Sequence, residues 1–151
     1  MTQLRERWEG VSLPGDYVLE RWLGGDDAAG FFETSLGPDG RHAVVKLVRE
    51  SAVDAAAQRA LWHRTRLLRH PNLCELLGCG RAELSGETVL YAVFEYADDT
   101  LALAIAQAPL TEAEACEVLV AVRDALACLQ AHGLAHPALD ADHVLGVGDN
   151  I

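Results

Sequence analysis

The sequence predicts an α+β protein in which sheet and helix occupy different stretches of the chain. Three observations carry this. Strand-like runs divided by glycine-rich turns fill most of the first 96 residues. A capped helical stretch with one apolar face follows residue 110. Between them stands the polar break Ala97-Asp98-Asp99-Thr100, where two lobes would meet.

Residues 1–15 form a polar lead-in that closes on the turn Leu13-Pro14-Gly15-Asp16. Tyr17 to Leu23 reads as a strand, Gly24 to Gly30 as a flexible connection, and Phe31 to Ser35 as a second short strand. Gly37-Pro38-Asp39-Gly40 is a strong reversal signal, because glycine and proline supply the dihedrals that a turn demands. Arg41 to Val48 returns as a third strand, so two successive hairpins build an antiparallel sheet. The period then changes. Ser51 can cap a helix running to about Leu68, where Arg69-His70-Pro71-Asn72 stops it. Leu73 to Cys79 and Val89 to Tyr96 are two further strands, joined around Leu84-Ser85-Gly86-Glu87.

Past the break, Leu101 to Gln107 is a short helix ended by Ala108-Pro109. Thr111 and Glu114 have the spacing of a capping box. Ala115, Val118, Leu119, Val122, Leu126 and Leu129 then recur at helical spacing on one face, which needs a partner. The tail from His132 reads as loop, a brief strand at Val144-Leu145, the turn Gly146-Val147-Gly148-Asp149, and the start of another strand.

Half of the 151 residues are hydrophobic, enough for a real core. Twelve basic and 23 acidic side chains give a formal charge of -11, which repels nucleic acid and anionic lipid. The densest basic group, Arg64, Arg66 and Arg69, reads as a solvated helix flank. Cys74, Cys79, Cys116 and Cys128 lack metal-ligand spacing and read as buried thiols. Met1 to Gly10 has no apolar core of a signal peptide, and no run reaches the 18 apolar residues of a membrane helix. The expectation is a reduced, soluble, cytoplasmic chain. Lys46 is its only lysine, set in the apolar strand Ala43-Val44-Val45-Lys46-Leu47-Val48.

Several segments, in order, resemble the protein kinase family, bacterial Ser/Thr-kinase-like proteins in particular. Gly24 to Phe32 resembles the glycine-rich loop, and Val44-Val45-Lys46 the lysine strand. Leu68-Arg69-His70-Pro71-Asn72-Leu73 resembles the segment leaving the regulatory helix. Phe94-Glu95-Tyr96 resembles the gatekeeper and hinge, and His132-Gly133-Leu134-Ala135-His136 the approach to the catalytic loop. The resemblance covers residues 16–151. It implies a small lobe and hinge over 16–97, with a five-stranded antiparallel sheet plus helix. A partial large lobe over 98–151 would follow, ending before the Asp-Phe-Gly position.

The resemblance also implies roles. Gly24 and Gly30 match the first and last loop glycines, while Asp26 or Asp27 falls near the middle one. Read from the residues alone, the same stretch is equally a hairpin turn. Lys46 would hold nucleotide phosphates. The adenine edge would meet backbone groups at Glu95 and Ala97, beneath the strands carrying Leu23 and Phe32. The helix glutamate that pairs with the lysine falls near Leu61, so Lys46 either reaches Asp54 or carries its amine to the cleft and water. In the catalytic loop, His136-Pro137-Ala138-Leu139-Asp140-Ala141-Asp142-His143 departs from the family. Ala138 stands at the base position, Asp140 where a lysine belongs, and His143 at the magnesium-binding asparagine. His136 keeps a packing role.

The expectation is a catalytically inactive, pseudokinase-type binding or regulatory module with no catalytic or metal-binding residues. Its implied ligand is ATP, bound weakly, with weak or no magnesium dependence. A protein partner or self-association is expected through the 111–131 helix. The alternatives are a fragment of an ATP-dependent Ser/Thr kinase and a structural interaction module with an empty cleft.

Overall fold

The computed structural model describes residues 7–136 and 139–146. They fall into two compact units. One comprises the chain up to Leu68 together with Glu75–Tyr96; the other comprises Arg69–Cys74 and the chain from Ala97 onward.

The first unit is built on an antiparallel five-stranded sheet in the order β3-β4-β5-β7-β6. Its strands are β3 (Arg21–Gly25), β4 (Ala29–Leu36), β5 (Arg41–Arg49), β6 (Leu76–Leu84) and β7 (Glu87–Glu95). The β6–β7 hairpin turns on Ser85 and Gly86, both at positive φ (51° and 79°), the conformation that suits a two-residue hairpin loop. Helix α1 (Ala55–Thr65) starts later than Ser51 would place it. Glu50–Ala52 is a turn of 3-10 helix, and the cap is Asp54, whose carboxylate accepts from Ala57 N at 3.0 Å.

Both faces of the sheet are covered, which is why β7 is buried almost without alternation. One face presents Phe32, Ala43, Val45, Leu47, Val89, Tyr91 and Val93, and the chain before β3 packs on it. Trp8, Leu13 and Leu19 are all buried there. A small ladder, β1 (Ser12–Leu13) with β2 (Tyr17–Val18), shapes this layer around the turn at Gly15. The long first strand of the sequence reading is therefore divided. At Leu19 the chain leaves the ladder, with its N–H bonded to Val11 O at 2.9 Å and its carbonyl to Gly10 N at 2.6 Å. Tyr91 Oη donates to Pro14 O at 3.2 Å, and Gly80 leaves room for the Tyr91 ring, where any Cβ would come within 2.6 Å of it. On the opposite face, Trp62 of α1 packs with Val48, Leu76, Leu90 and Ala92.

The second unit holds α2 (Leu101–Gln107), capped by Thr100, and α3 (Glu112–Ala131). The capping box of α3 forms as the sequence specifies: Thr111 N donates to Glu114 Oε2 at 2.7 Å, and Glu114 N to Thr111 Oγ1 at 3.3 Å. Of the apolar stripe on α3, Val118 is buried, whereas Leu119 is 68% exposed. The tail strand β9 (Leu145–Gly146) pairs antiparallel with β8 (Asp99–Thr100). The expected turn beyond Gly146 lies outside the described residues. Among the described residues, no helix is long and apolar enough to cross a membrane.

Candidate functional site

Strand alternation and register decide what the Lys46 side of the sheet carries. Phe31 is opposite Lys46, Glu33 opposite Val44, and Arg21 opposite Glu33. These residues share a face with His42 and Phe94. Phe32, expected to roof a nucleotide, is on the other face, fully buried with Val45 and Val93.

The connection from β3 to β4 is held by its own aspartate. Asp26 Oδ1 accepts from Ala28 N at 2.8 Å and Ala29 N at 3.0 Å, and Asp26 N donates to Ala29 O at 2.8 Å. These bonds lower the Asp26 carboxyl below its usual value, so it stays charged. Two consecutive backbone N–H groups converging on one oxygen are the arrangement by which loops bind anions. Here the anion belongs to the chain. Gly30 has a packing reason to be glycine, since an added Cβ would lie 2.5 Å from the Trp22 ring. Gly24 sits at φ +148°, a backbone conformation rare for other residues.

Lys46 is half-buried, with its Nζ 5.5 Å from the centre of the Phe31 ring. Burial alone pushes its amine below the usual value; no carboxylate opposes the shift. Asp54 does not reach it, being bonded to Ala57 N as the α1 cap. Leu61, the position counted for the family's glutamate, is exposed, and Trp62 takes the sheet-facing place beside it.

Beside Val44, Glu33 is 9% exposed and held between Arg21 and His42. Arg21 Nε donates to Glu33 Oε2 at 2.7 Å, and His42 Nδ1 lies 2.7 Å from Glu33 Oε1. The His42 ring is 5.6 Å from that of Tyr96. At the end of β7, Glu95 N donates to Glu75 O at 3.0 Å, while its carboxylate accepts from Glu75 N at 2.8 Å. Ala97 opens the second unit.

In that second unit, Asp140 ties a turn together. Its Oδ1 accepts from Asp142 N at 3.0 Å and His143 N at 3.2 Å, and lies 2.6 Å from His143 Nδ1. The His143 bond, foremost, lowers the Asp140 carboxyl. The His136 ring is 5.4 Å from that of His143, and burial, aided by His143, lowers its pKa. Ala138 lies outside the described residues. Among the described residues, no three histidine, cysteine or acidic side chains converge to hold a metal.

No protein-family model matches the sequence, and none of the curated proteins matches it significantly. Solved structures do. The PknI kinase domain of Mycobacterium tuberculosis superimposes with a TM-score of 0.71 at 24% identity, over 93% of this chain and 58% of that one. A second structure of the same domain gives 0.71 at 23%, over 91% and 56%. Rad53 in complex with AMP-PNP also gives 0.71, at 17%, over 88% of this chain and 37% of its own. The chain has a protein-kinase-like fold. It spans under three fifths of the length of these structures.

Within the kinase-like fold, Gly24, Gly30, Lys46 and Glu95 all lie in the sheet unit, and Ala97 begins the next. Sequence reasoning placed Asp26 and Lys46 but missed Glu33, Arg21 and His42. One signal was available. Folding the hairpin about Pro38-Asp39 brings Phe31 opposite Lys46 and puts Glu33, not Phe32, on the lysine's face.

The β3–β4 loop does not fit the phosphates of ATP. A triphosphate approaching the β3–β4 loop meets Asp26 already bonded to the amides of Ala28 and Ala29.

Proposed function

We propose that this chain is a catalytically inactive, kinase-like binding or regulatory module. The observation that carries the reading is the Asp26 carboxylate, which takes up the loop amides that would otherwise face phosphate. Phosphoryl transfer is mostly positioning and charge stabilisation, so a fixed negative charge in the phosphate cradle opposes it directly. Ala138 at the base position supports the same reading, as does Lys46, on which no carboxylate acts among the described residues. Lys46, Gly24, Gly30, Glu95 and Ala97 are the positions on which any residual ATP affinity would depend.

The test is a transfer assay with γ-labelled ATP and magnesium on the full chain, with and without a generic protein acceptor. The expected result is no label above that of Lys46→Ala. Label that accumulates with time and disappears in Lys46→Ala would make it a fragment of an active Ser/Thr kinase.

A second reading, a structural interaction module, rests on the 111–131 helix. Leu119, Val120 and Leu126 stand exposed there, an apolar strip suited to a protein partner or a second copy.

A further inference from the structure

We infer that Glu33, held by Arg21 and His42, excludes a nucleobase from the Lys46 face of the sheet, making it the residue that determines ligand specificity there. The inference rests on the proposed function only in taking Lys46 as the phosphate end and Glu95 as the base end of any nucleotide. Those two positions fix the footprint. Glu95 on β7 pairs with Ala43 on β5, three residues from Lys46, so a base between them would lie over Val44, flanked by its two cross-strand neighbours, Phe94 on β7 and Glu33 on β4.

A purine needs an apolar surface there, because stacking trades hydrated ring faces for dispersion contact. Val44 and the neighbouring Phe94 supply part of it. Glu33 does not. Its carboxylate is nine-tenths buried and engaged on both oxygens, with Arg21 on Oε2 and His42 on Oε1. A ring lying flat on this surface would have to strip those partners away and desolvate the remaining charge. His42 is itself flanked by the Tyr96 ring, so its side chain is directed along the same surface. The ion-pair cluster thus stands where the base would stack, as Asp26 stands where the phosphates would.

Removing the obstruction should cost the fold little. Position 33 lies inside a strand, where a β-branched residue fits the pleat. Arg21 and His42 side chains are 61% and 59% exposed, so both remain hydrated once released.

The experiment titrates the full chain and two variants, Glu33→Val and Glu33→Gln, with adenosine and with ATP without magnesium, by isothermal calorimetry. Adenosine isolates the base from the phosphates. Urea melts of each variant establish that it is folded. The expected result is no saturable adenosine binding by the wild type and saturable binding by Glu33→Val, at least tenfold tighter than by Glu33→Gln, which keeps the polar bulk. ATP should follow the same order. Wild-type adenosine binding that Glu33→Val leaves unchanged would overturn the inference. So would a folded Glu33→Val that binds neither ligand. Either failure leaves the inactive-module reading standing, because that reading falls only to magnesium-dependent label transfer.

Discussion

Trp8 offers the sharpest test of whether the chain before the sheet is part of the core. Its side chain is 1% exposed and packs with Leu13, Leu19 and the β4–β5–β7 face. Truncating a buried tryptophan to alanine costs about 3–5 kcal/mol through lost transfer energy and the cavity left behind. The Arg49 guanidinium, 5.9 Å from the ring centre, adds a cation–π contribution of about 0.5–1 kcal/mol that truncation also loses. Against this, Trp8 Nε1 is buried without a hydrogen-bond partner among the described residues. An unsatisfied buried donor costs about 1–3 kcal/mol, and deleting it recovers that amount. The net expectation for Trp8→Ala is a loss of about 2–4 kcal/mol, a large share of a typical domain's stability. Trp8→Phe keeps most of the apolar surface and removes the stranded N–H, so it should fall within about 1 kcal/mol of wild type. Urea denaturation followed by far-ultraviolet circular dichroism measures both. A Trp8→Ala loss below about 1 kcal/mol would refute a packed N-terminal layer. A Trp8→Phe loss as large as that of Trp8→Ala would refute the argument about the indole N–H.

Two further outcomes follow from the sheet. Gly30→Ala should destabilise the protein by about 1–3 kcal/mol in urea melts without any nucleotide, because the new methyl meets the Trp22 ring. An unchanged midpoint would return Gly30 to a purely ligand-directed role. Lys46→Met should raise stability at neutral pH, where burial penalises the charged amine. The folded-state pKa is depressed, so between it and the unfolded value of 10.5 the unfolded chain binds more protons and wild-type stability rises with pH. The advantage of Lys46→Met should therefore shrink as pH climbs towards 10.5, and a constant or widening gap would contradict it.

Local signals in the sequence translated into structure where one interaction decides the outcome. The Thr111–Glu114 box needs only its own two side chains and amides, and the Gly37–Gly40 turn only its own dihedrals, so both were legible. Trp8 was not. A single aromatic among polar residues has no period, and its burial depends on a sheet formed later in the chain. The start of α1 was ambiguous because Ser51 and Asp54 are both capping residues; Asp54 prevails by bonding Ala57 N while Glu50–Ala52 closes as a 3-10 turn. Phe31 and Phe32 are chemically alike, and only register sends one to Lys46 and the other to the core. The side chain that shares the Lys46 face is therefore Phe31, one residue from the Phe32 that the sequence reading put there.

Three of the positions with kinase-like identities share a feature that family spacing alone could not reveal: Gly30, Lys46 and Glu95 are each engaged within their own unit. Gly30 makes room for Trp22, Lys46 lies over Phe31, and Glu95 closes a two-way bond with the backbone of Glu75. His143, at the asparagine position, lies against Asp140. A binding surface made for a ligand ordinarily leaves donors and charges directed at the place the ligand will fill. Here the loop amides point at Asp26, and the Arg21 and His42 side chains beside Val44 point at Glu33. On the proposed reading, both put a carboxylate where a nucleotide would bring its own negative charge or its flat ring. Two internal anions at opposite ends of one footprint favour a fold whose sheet is satisfied without ligand, and they direct the search for partners towards the exposed strip on α3.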